Sequence, residues 1–253
     1  MASAGTYVYA VAKGAMPSSF QSRAVGGRGG VRIVSAGPLS AAVSDAPSGA
    51  VSLDRDNLSA HSETLQELLA TASAVVPLQF GTVFPDDTAV CNDLLSRSGE
   101  LEALLHRVEG RVEFRVKAFY VEDVVVRELI AEDRRVRELQ RRTRGLSAEA
   151  AYYERIQLGE LVASGLAAKR AGDAQTIVRR LAAVAVDQVV EDPANEWGVI
   201  AASFLVNRSE TTRFEAGARE LADGLGGRVR LRCVGPLPPY SFVDMNLQPV
   251  VAA

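Results

Sequence analysis

Apolar and polar positions change their period several times along this chain, and each change marks an element. Residues 6–12 (TYVYAVA) combine β-branched and aromatic side chains with no breaker before Gly14, which predicts a strand. Residues 31–35 and 39–44 predict two short strands around a Gly37-Pro38 bend. Asp54 suits an N-cap for a helix ending near residue 70, with Leu58, Leu65, Leu68 and Leu69 at helical spacing. Residues 75–80 predict a strand that Pro77 confines to an edge or a bulge, because proline has no N–H for a ladder. A helical stretch then starts at Pro85, breaks near Gly99 and continues to Val108.

After Gly110, Val112, Phe114, Val116, Ala118 and Tyr120 alternate with Glu113, Arg115, Lys117 and Phe119, a period-two strand. The pattern is helical from residue 122 to 190. Gly145 and Gly172 divide it into expected helices at 122–142, 147–170 and 173–190. Residues 197–207 (WGVIAASFLVN) return to a strand, 210–225 predict a helix stopped by Gly226-Gly227, and 228–234 predict a last strand. The expected fold class is α+β in two domains, each a modified ferredoxin-like arrangement. The domains are residues 1–109 and residues 110–235, the second with an enlarged helical insertion at 122–190. A proline-rich C-terminal tail follows at 236–253.

Composition narrows the function classes. The 253 residues are 47% hydrophobic, enough to bury two cores. A net charge of −3 argues against a protein built to neutralise nucleic-acid phosphates. Cys91 and Cys233 stand far apart in no Cys-x-x-Cys arrangement, so they read as separate small buried residues in a reducing compartment. Residues 1–10 do not form a secretory signal. The apolar stretches near 75–84 and 198–206 are roughly half a membrane span, so a cytosolic setting is expected.

Candidate chemistry is sparse. The glycines of residues 26–30 lead into a strand and not a helix, so they predict a flexible loop and not a phosphate cradle. His61 is next to Ser62 and Glu63, but neighbours on one helix cannot form a hydrogen-bonded triad. His106, the other histidine, is not at metal-ligand spacing from it, so His61 is expected to be structural and partly buried beside Leu58, Leu65 and Leu68. The arginines at 134, 135, 137, 141, 142 and 144 are the one basic concentration, and in and beside it Asp123–Arg127, Asp133–Arg137 and Glu138–Arg142 are spaced four apart with the acid first. That spacing predicts an ion-paired helix face, and leaves a docking surface for an acidic partner open. Tyr152, Tyr153, Ile156, Leu158, Leu161, Val162 and Leu166 form an apolar face, core by default and an interface should the helix be exposed.

Two segments are sharper. In residues 76–82, Pro77 precedes Phe80 and Gly81, fixing how a strand leaves its sheet. In residues 235–242, Pro236, Pro238 and Pro239 stiffen the backbone ahead of Tyr240 and Phe242, which offer large contact area to their own domain or to a partner. Neither segment pairs a nucleophile with a base, so no catalytic residue is expected.

VVPLQFGTVF at 75–84, ASFLV at 202–206 and GPLPPYSFVDM at 235–245 resemble the gas vesicle protein F/L family. The resemblance extends to the YVYAV start, the NLSAHSETLQELL helix and the VEFRVKAFY strand, in order and spacing over almost the whole chain. The family often has arginine where Gln79 stands and tryptophan where Leu237 stands. The resemblance implies two α+β domains related to the ferredoxin-like arrangement, and an accessory protein of gas vesicle formation with no enzymatic activity, cofactor or metal. Implied partners are the major gas vesicle shell protein and other accessory proteins, with no nucleic acid and no membrane span, at the vesicle in the cytoplasm. Candidate partner-binding residues are Phe80, Gly81, Arg137, Arg141, Pro238, Pro239, Tyr240 and Phe242. The rival expectation is a ferredoxin-like small-molecule-binding regulatory module, which needs a polar pocket with convergent charges.

Overall fold

The computed structural model describes residues 5–147, 149–193 and 195–243. They divide into two compact units, residues 5–113 with 235–243, and residues 114–234. Residues 244–253 of the expected tail lie outside the described residues.

The first unit is organised on β1 (Thr6–Lys13), buried at every position except Lys13. Burial on both faces is why its sequence is a continuous apolar run and not an alternation. Antiparallel neighbours are β3 (Leu39–Asp45) on one side and β4 (Ala74–Pro77) on the other, with β2 (Arg32–Ala36) outside β3. The two-residue β5 (Val83–Phe84) also pairs with β1. Pairing skips Tyr9, since Val8 and Ala10 oppose the consecutive residues Val43 and Ala42. This bulge explains how Val8 and Val11, three apart, join one core cluster with Leu94, Leu101 and Leu105.

Helix α1 (Arg55–Thr71) begins as expected, with the Asp54 carboxylate accepting the Asn57 N–H at 2.9 Å. Its buried face is Ala60, His61, Thr64, Leu65, Leu68 and Leu69, while Leu58 lies at the margin and is exposed. The short α2 (Asp87–Ala89) runs into a π-helical stretch, Val90–Leu95, and α3 (Ser98–Val108) follows. The break expected at Gly99 falls instead at Arg97, and Gly99 sits inside the first turn of α3. The wide π turn, closed by Ser96 N–H to Cys91 C=O, turns Val90, Leu94 and Leu95 into the core.

In the second unit β6 (Arg111–Tyr120) leads to α4 (Glu122–Glu132), α5 (Arg134–Thr143) and the 31-residue α6 (Tyr152–Ala182). Then come β7 (Asp187–Glu191), β8 (Gly198–Asn207), α7 (Thr211–Gly224) and β9 (Val229–Leu237), in a sheet ordered β7-β8-β6-β9. The division between the units falls inside β6 and inside β9.

Two helical expectations need correction. The helix expected over 122–142 breaks at Asp133, which caps α5 by accepting the Arg135 N–H at 2.7 Å. The helix expected over 173–190 is the second half of α6 followed by β7, so Gly172 does not break the helix. An exposed glycine costs a helix only about 1 kcal/mol. Its neighbour Asp173 meets Arg228 at 2.6 Å and accepts the Tyr120 hydroxyl at 2.9 Å. Arg228 also lies 3.8 Å from Glu128, whose other partner is Lys169 at 3.3 Å. This half-buried network joins β6, α4 and α6.

Pro236, expected at the start of the proline-rich tail, lies within β9, an edge strand that tolerates a residue with no N–H. The core of the second unit is centred on Phe214, with ring centroids 4.9 Å from Phe114 and 5.4 Å from Phe204. All three rings are fully buried. Phe214→Ala is expected to lower unfolding free energy by roughly 3–5 kcal/mol, read from the urea midpoint at constant m-value.

Candidate functional site

A buried polar cluster of the first unit forms around His61, which is 5% exposed. Helix α1 presents the imidazole to Tyr7 and Tyr9 of β1, the ring of Tyr9 stacking on it with centroids 5.5 Å apart. Tyr7 stands edge-on at 5.8 Å, and Phe80, from the turn after β4, edge-on at 5.6 Å. The Tyr7 hydroxyl is 2.8 Å from Nδ1, and the Tyr240 hydroxyl is 2.8 Å from Nε2.

The bonding arithmetic orients this chain. Tyr240 donates to the Leu78 carbonyl at 3.3 Å, so it accepts from Nε2–H, which leaves Nδ1 to accept from Tyr7. The Tyr7 oxygen in turn accepts the Gly81 N–H at 3.3 Å. Gly81 has φ +90°, a conformation that suits glycine in this turn. Burial pushes the His61 pKa down to about 4, and raises the phenol pKa of Tyr7, Tyr9 and Tyr240. At neutral pH all four are therefore uncharged, with both imidazole nitrogens committed. The arrangement is a hydrogen-bonded structural node.

The C-terminal segment completes it. Glu113, fully buried on β6, accepts the Ser241 N–H at 2.8 Å and the Ser241 hydroxyl at 2.9 Å. Gln66 donates to the Pro236 carbonyl at 3.3 Å. Phe242 is 2% exposed, and Pro238 and Pro239 are buried. Residues 235–242 thus pack on their own unit. The glycine loop, expected to be free, is also tied down. Val25 N–H donates to the Tyr9 hydroxyl at 2.9 Å, Gly26 N–H to Asn57 Oδ1 at 2.8 Å, and Ser22 N–H to Glu67 at 2.7 Å.

The other candidates lie in the second unit. Arg137 is exposed, but its guanidinium donates to the Ile130 and Ala131 carbonyls that end α4. Arg141 is exposed and pairs with Glu138 at 2.6 Å. The expected four-residue pairs do not form. Asp133, outside the helix as a cap, pairs with Arg135, while Arg142 reaches Glu154 on α6 at 3.1 Å and Arg127 donates to the Asp123 backbone carbonyl. Tyr152, Tyr153 and Ile156 are exposed, whereas Leu166 is buried. Cys91 and Cys233 are free and half-buried, and burial pushes the Cys233 thiol up to about 11.

Sequence reasoning missed the burial of Glu113, named only as one of the residues alternating with the apolar positions of a period-two strand. It also missed the convergence of Tyr7, Tyr9 and Tyr240 on His61. A carboxylate in a run as apolar as residues 112–120, and tyrosines in a strand with no polar face, were the available signals.

Fold and node together define a two-unit α+β protein whose central polar cluster is architectural. Among the described residues there is no group of three or more His, Cys, Asp or Glu side chains placed for a metal ion. No described helix is long and apolar enough to cross a membrane. The chain belongs to the gas vesicle synthesis protein GvpL/GvpF family, whose model matches residues 5–244. This is a family of gas vesicle assembly and not of enzymes. Gas vesicle protein F of Streptomyces sp. (strain CB03234) is 35% identical over 94% of this chain and 99% of its own length. Gas vesicle protein F of Dolichospermum flosaquae is 24% identical over 76% of this chain and 78% of its own. The crystal structure of GvpF from Anabaena sp. PCC7120 shares the fold with a TM-score of 0.83 at 22% identity, covering 97% of this chain and 100% of that one.

Two outcomes test the node. Tyr240→Phe leaves His61 Nε2–H and the Leu78 carbonyl without that hydroxyl, and is expected to cost about 1–3 kcal/mol in urea unfolding. The His61 pKa is lowered from 6.5 to about 4 by folding, so the unfolded chain takes up the proton first as pH falls. Its contribution is complete above pH 6.5, declines as pH falls towards 4 and is lost below. The total is on the order of 3 kcal/mol. The difference in stability between wild type and His61→Gln, measured from pH 7 to 4, should shrink accordingly.

Proposed function

We propose that this chain is an accessory protein of gas vesicle assembly that binds the major shell protein and other accessory proteins during vesicle nucleation, at the vesicle in the cytoplasm. Family membership across residues 5–244 carries the reading. Its physical basis is that unassembled shell subunits present apolar surface, which an adaptor with its own exposed apolar side chains can cover until assembly. Tyr152, Tyr153 and Ile156 are exposed side chains of that kind.

Among the candidate contact residues, Arg137 and Arg141 are exposed, and Phe80, Gly81 and Tyr240 are half-buried. In this proposal the arginines and the Phe80–Gly81 turn face partners, while Pro238, Pro239, Tyr240 and Phe242 hold that turn in shape through the His61 node. A ferredoxin-like origin of each unit remains part of the proposal, supported in the first by helices packed on an antiparallel sheet. The metabolite-sensor alternative is less favoured, because the polar cluster around His61 is filled by the chain's own Tyr240.

Removing the gene from a vesicle-forming host should abolish vesicles in electron micrographs, and the wild-type gene should restore them. The tagged chain should co-precipitate the shell protein from the complemented cells. Normal vesicle yield in the deletion strain would sink the accessory role, and absence of shell protein from the precipitate would sink the direct contact.

A further inference from the structure

The end of α5 and the start of α6 carry a feature that the structural node does not use. Leu146, Tyr152, Tyr153 and Ile156 are all exposed, Tyr152 at 59% and Tyr153 at 78%. The two tyrosine rings meet edge to face with centroids 5.4 Å apart. Tyr152 and Ile156 are one turn apart on α6, so they form a ridge on one side of the helix. Arg155 holds the Leu146 carbonyl at 3.4 Å, and Arg142 reaches Glu154 at 3.1 Å, which pins Leu146 and the end of α5 against the first turns of α6. The apolar side chains therefore belong to one tip, where α5 meets the start of α6.

Charge around this tip departs from that of the chain. Residues 134–157 hold seven arginines against three glutamates, in a protein whose net charge is −3. Arg141 and Arg142 are already paired, with Glu138 and Glu154. Arg144 makes no ion pair among the described residues, and Arg155 contacts only a carbonyl oxygen there. The tip is thus an aromatic and aliphatic ridge with cationic groups beside it that still lack carboxylates.

We propose that this tip is a docking surface for an amphipathic helix of another protein, one whose apolar stripe is flanked by carboxylates. The helix buries Tyr152, Tyr153, Ile156 and Leu146, and its carboxylates meet Arg144 and Arg155. Helical hairpins offer ridges and grooves that accept a third helix. Charge complementarity selects an acidic occupant and disfavours a second copy of this chain, since two arginine-rich tips repel. An anionic lipid surface fits less well, because Glu138 and Glu154 already neutralise two of the cations nearest the ridge. The inference gives the chemistry of one partner surface and rests on the assembly role only for its setting.

The test is fluorescence anisotropy on the full chain with a labelled synthetic helix roughly 18 residues long, carrying a leucine stripe flanked by glutamates. A twin peptide has lysine at every glutamate, and vesicles of phosphatidylglycerol and phosphatidylcholine form a third arm. The acidic helix should bind at least about tenfold more tightly than the lysine twin. Its affinity should fall about tenfold or more in Tyr152→Ser/Tyr153→Ser and in Arg144→Glu. Both variants alter exposed side chains, and circular dichroism with urea midpoints checks that each is folded. Equal binding of the two peptides, no binding of the acidic helix, unchanged affinity in folded variants, or preference for the vesicles each overturns the proposal. None of these outcomes alters vesicle formation in the deletion strain, so the accessory role stands or falls separately.

Discussion

A buried neutral imidazole must give away one hydrogen and receive another, and in this protein the two partners come from opposite ends of the sequence. Tyr7, in the first strand, supplies the donor to Nδ1, and Tyr240, close to the last described residues, accepts from Nε2. A polar group left unsatisfied inside a folded unit costs more than an ordinary hydrogen bond gains. The first unit is therefore incomplete until the C-terminal segment returns. Glu113 adds a second requirement of the same kind, since its buried carboxylate takes both the N–H and the hydroxyl of Ser241.

The bulge at Tyr9 and the turn at Gly81 follow from this node. The bulge keeps Val8 and Val11 in one core cluster while both tyrosine rings reach His61. The turn brings Phe80 edge-on to the imidazole and points the Gly81 N–H at Tyr7. Strand, helix, turn and C-terminal segment are thus coupled through one ring. The segments that read most sharply in the sequence, residues 76–82 and 235–242, are the ones that meet it.

The second unit solves a different problem. Its long helix continues through Gly172 because Asp173 is held by Arg228 and Tyr120 on other elements. The helix expected over 122–142 is broken at Asp133, and its ion pairs are not the regular ladder of a single helix. Among the described residues the unit exposes an apolar tip with Arg144, which makes no ion pair there, beside it.

Periodicity and capping chemistry determined much of the element list. The apolar run of β1, the Asp54 cap of α1, the alternation of β6 and the apolar stretch of β8 are properties of neighbouring residues, and the structure has each of them. The family was legible too, because its motifs are local and ordered. Local pattern could not say that Asp133 caps one helix instead of pairing inside another. Nor could it show that residues 187–191 pair with β8 or that Tyr152 and Tyr153 stay exposed. Each depends on what lies across space, a strand partner or a covering surface, which spacing along the chain does not encode. The node shows the division most clearly. Burial of His61 was readable from its helix face, whereas its tautomer, its lowered pKa and its dependence on Tyr240 were decided only when residues 179 positions apart came within 2.8 Å.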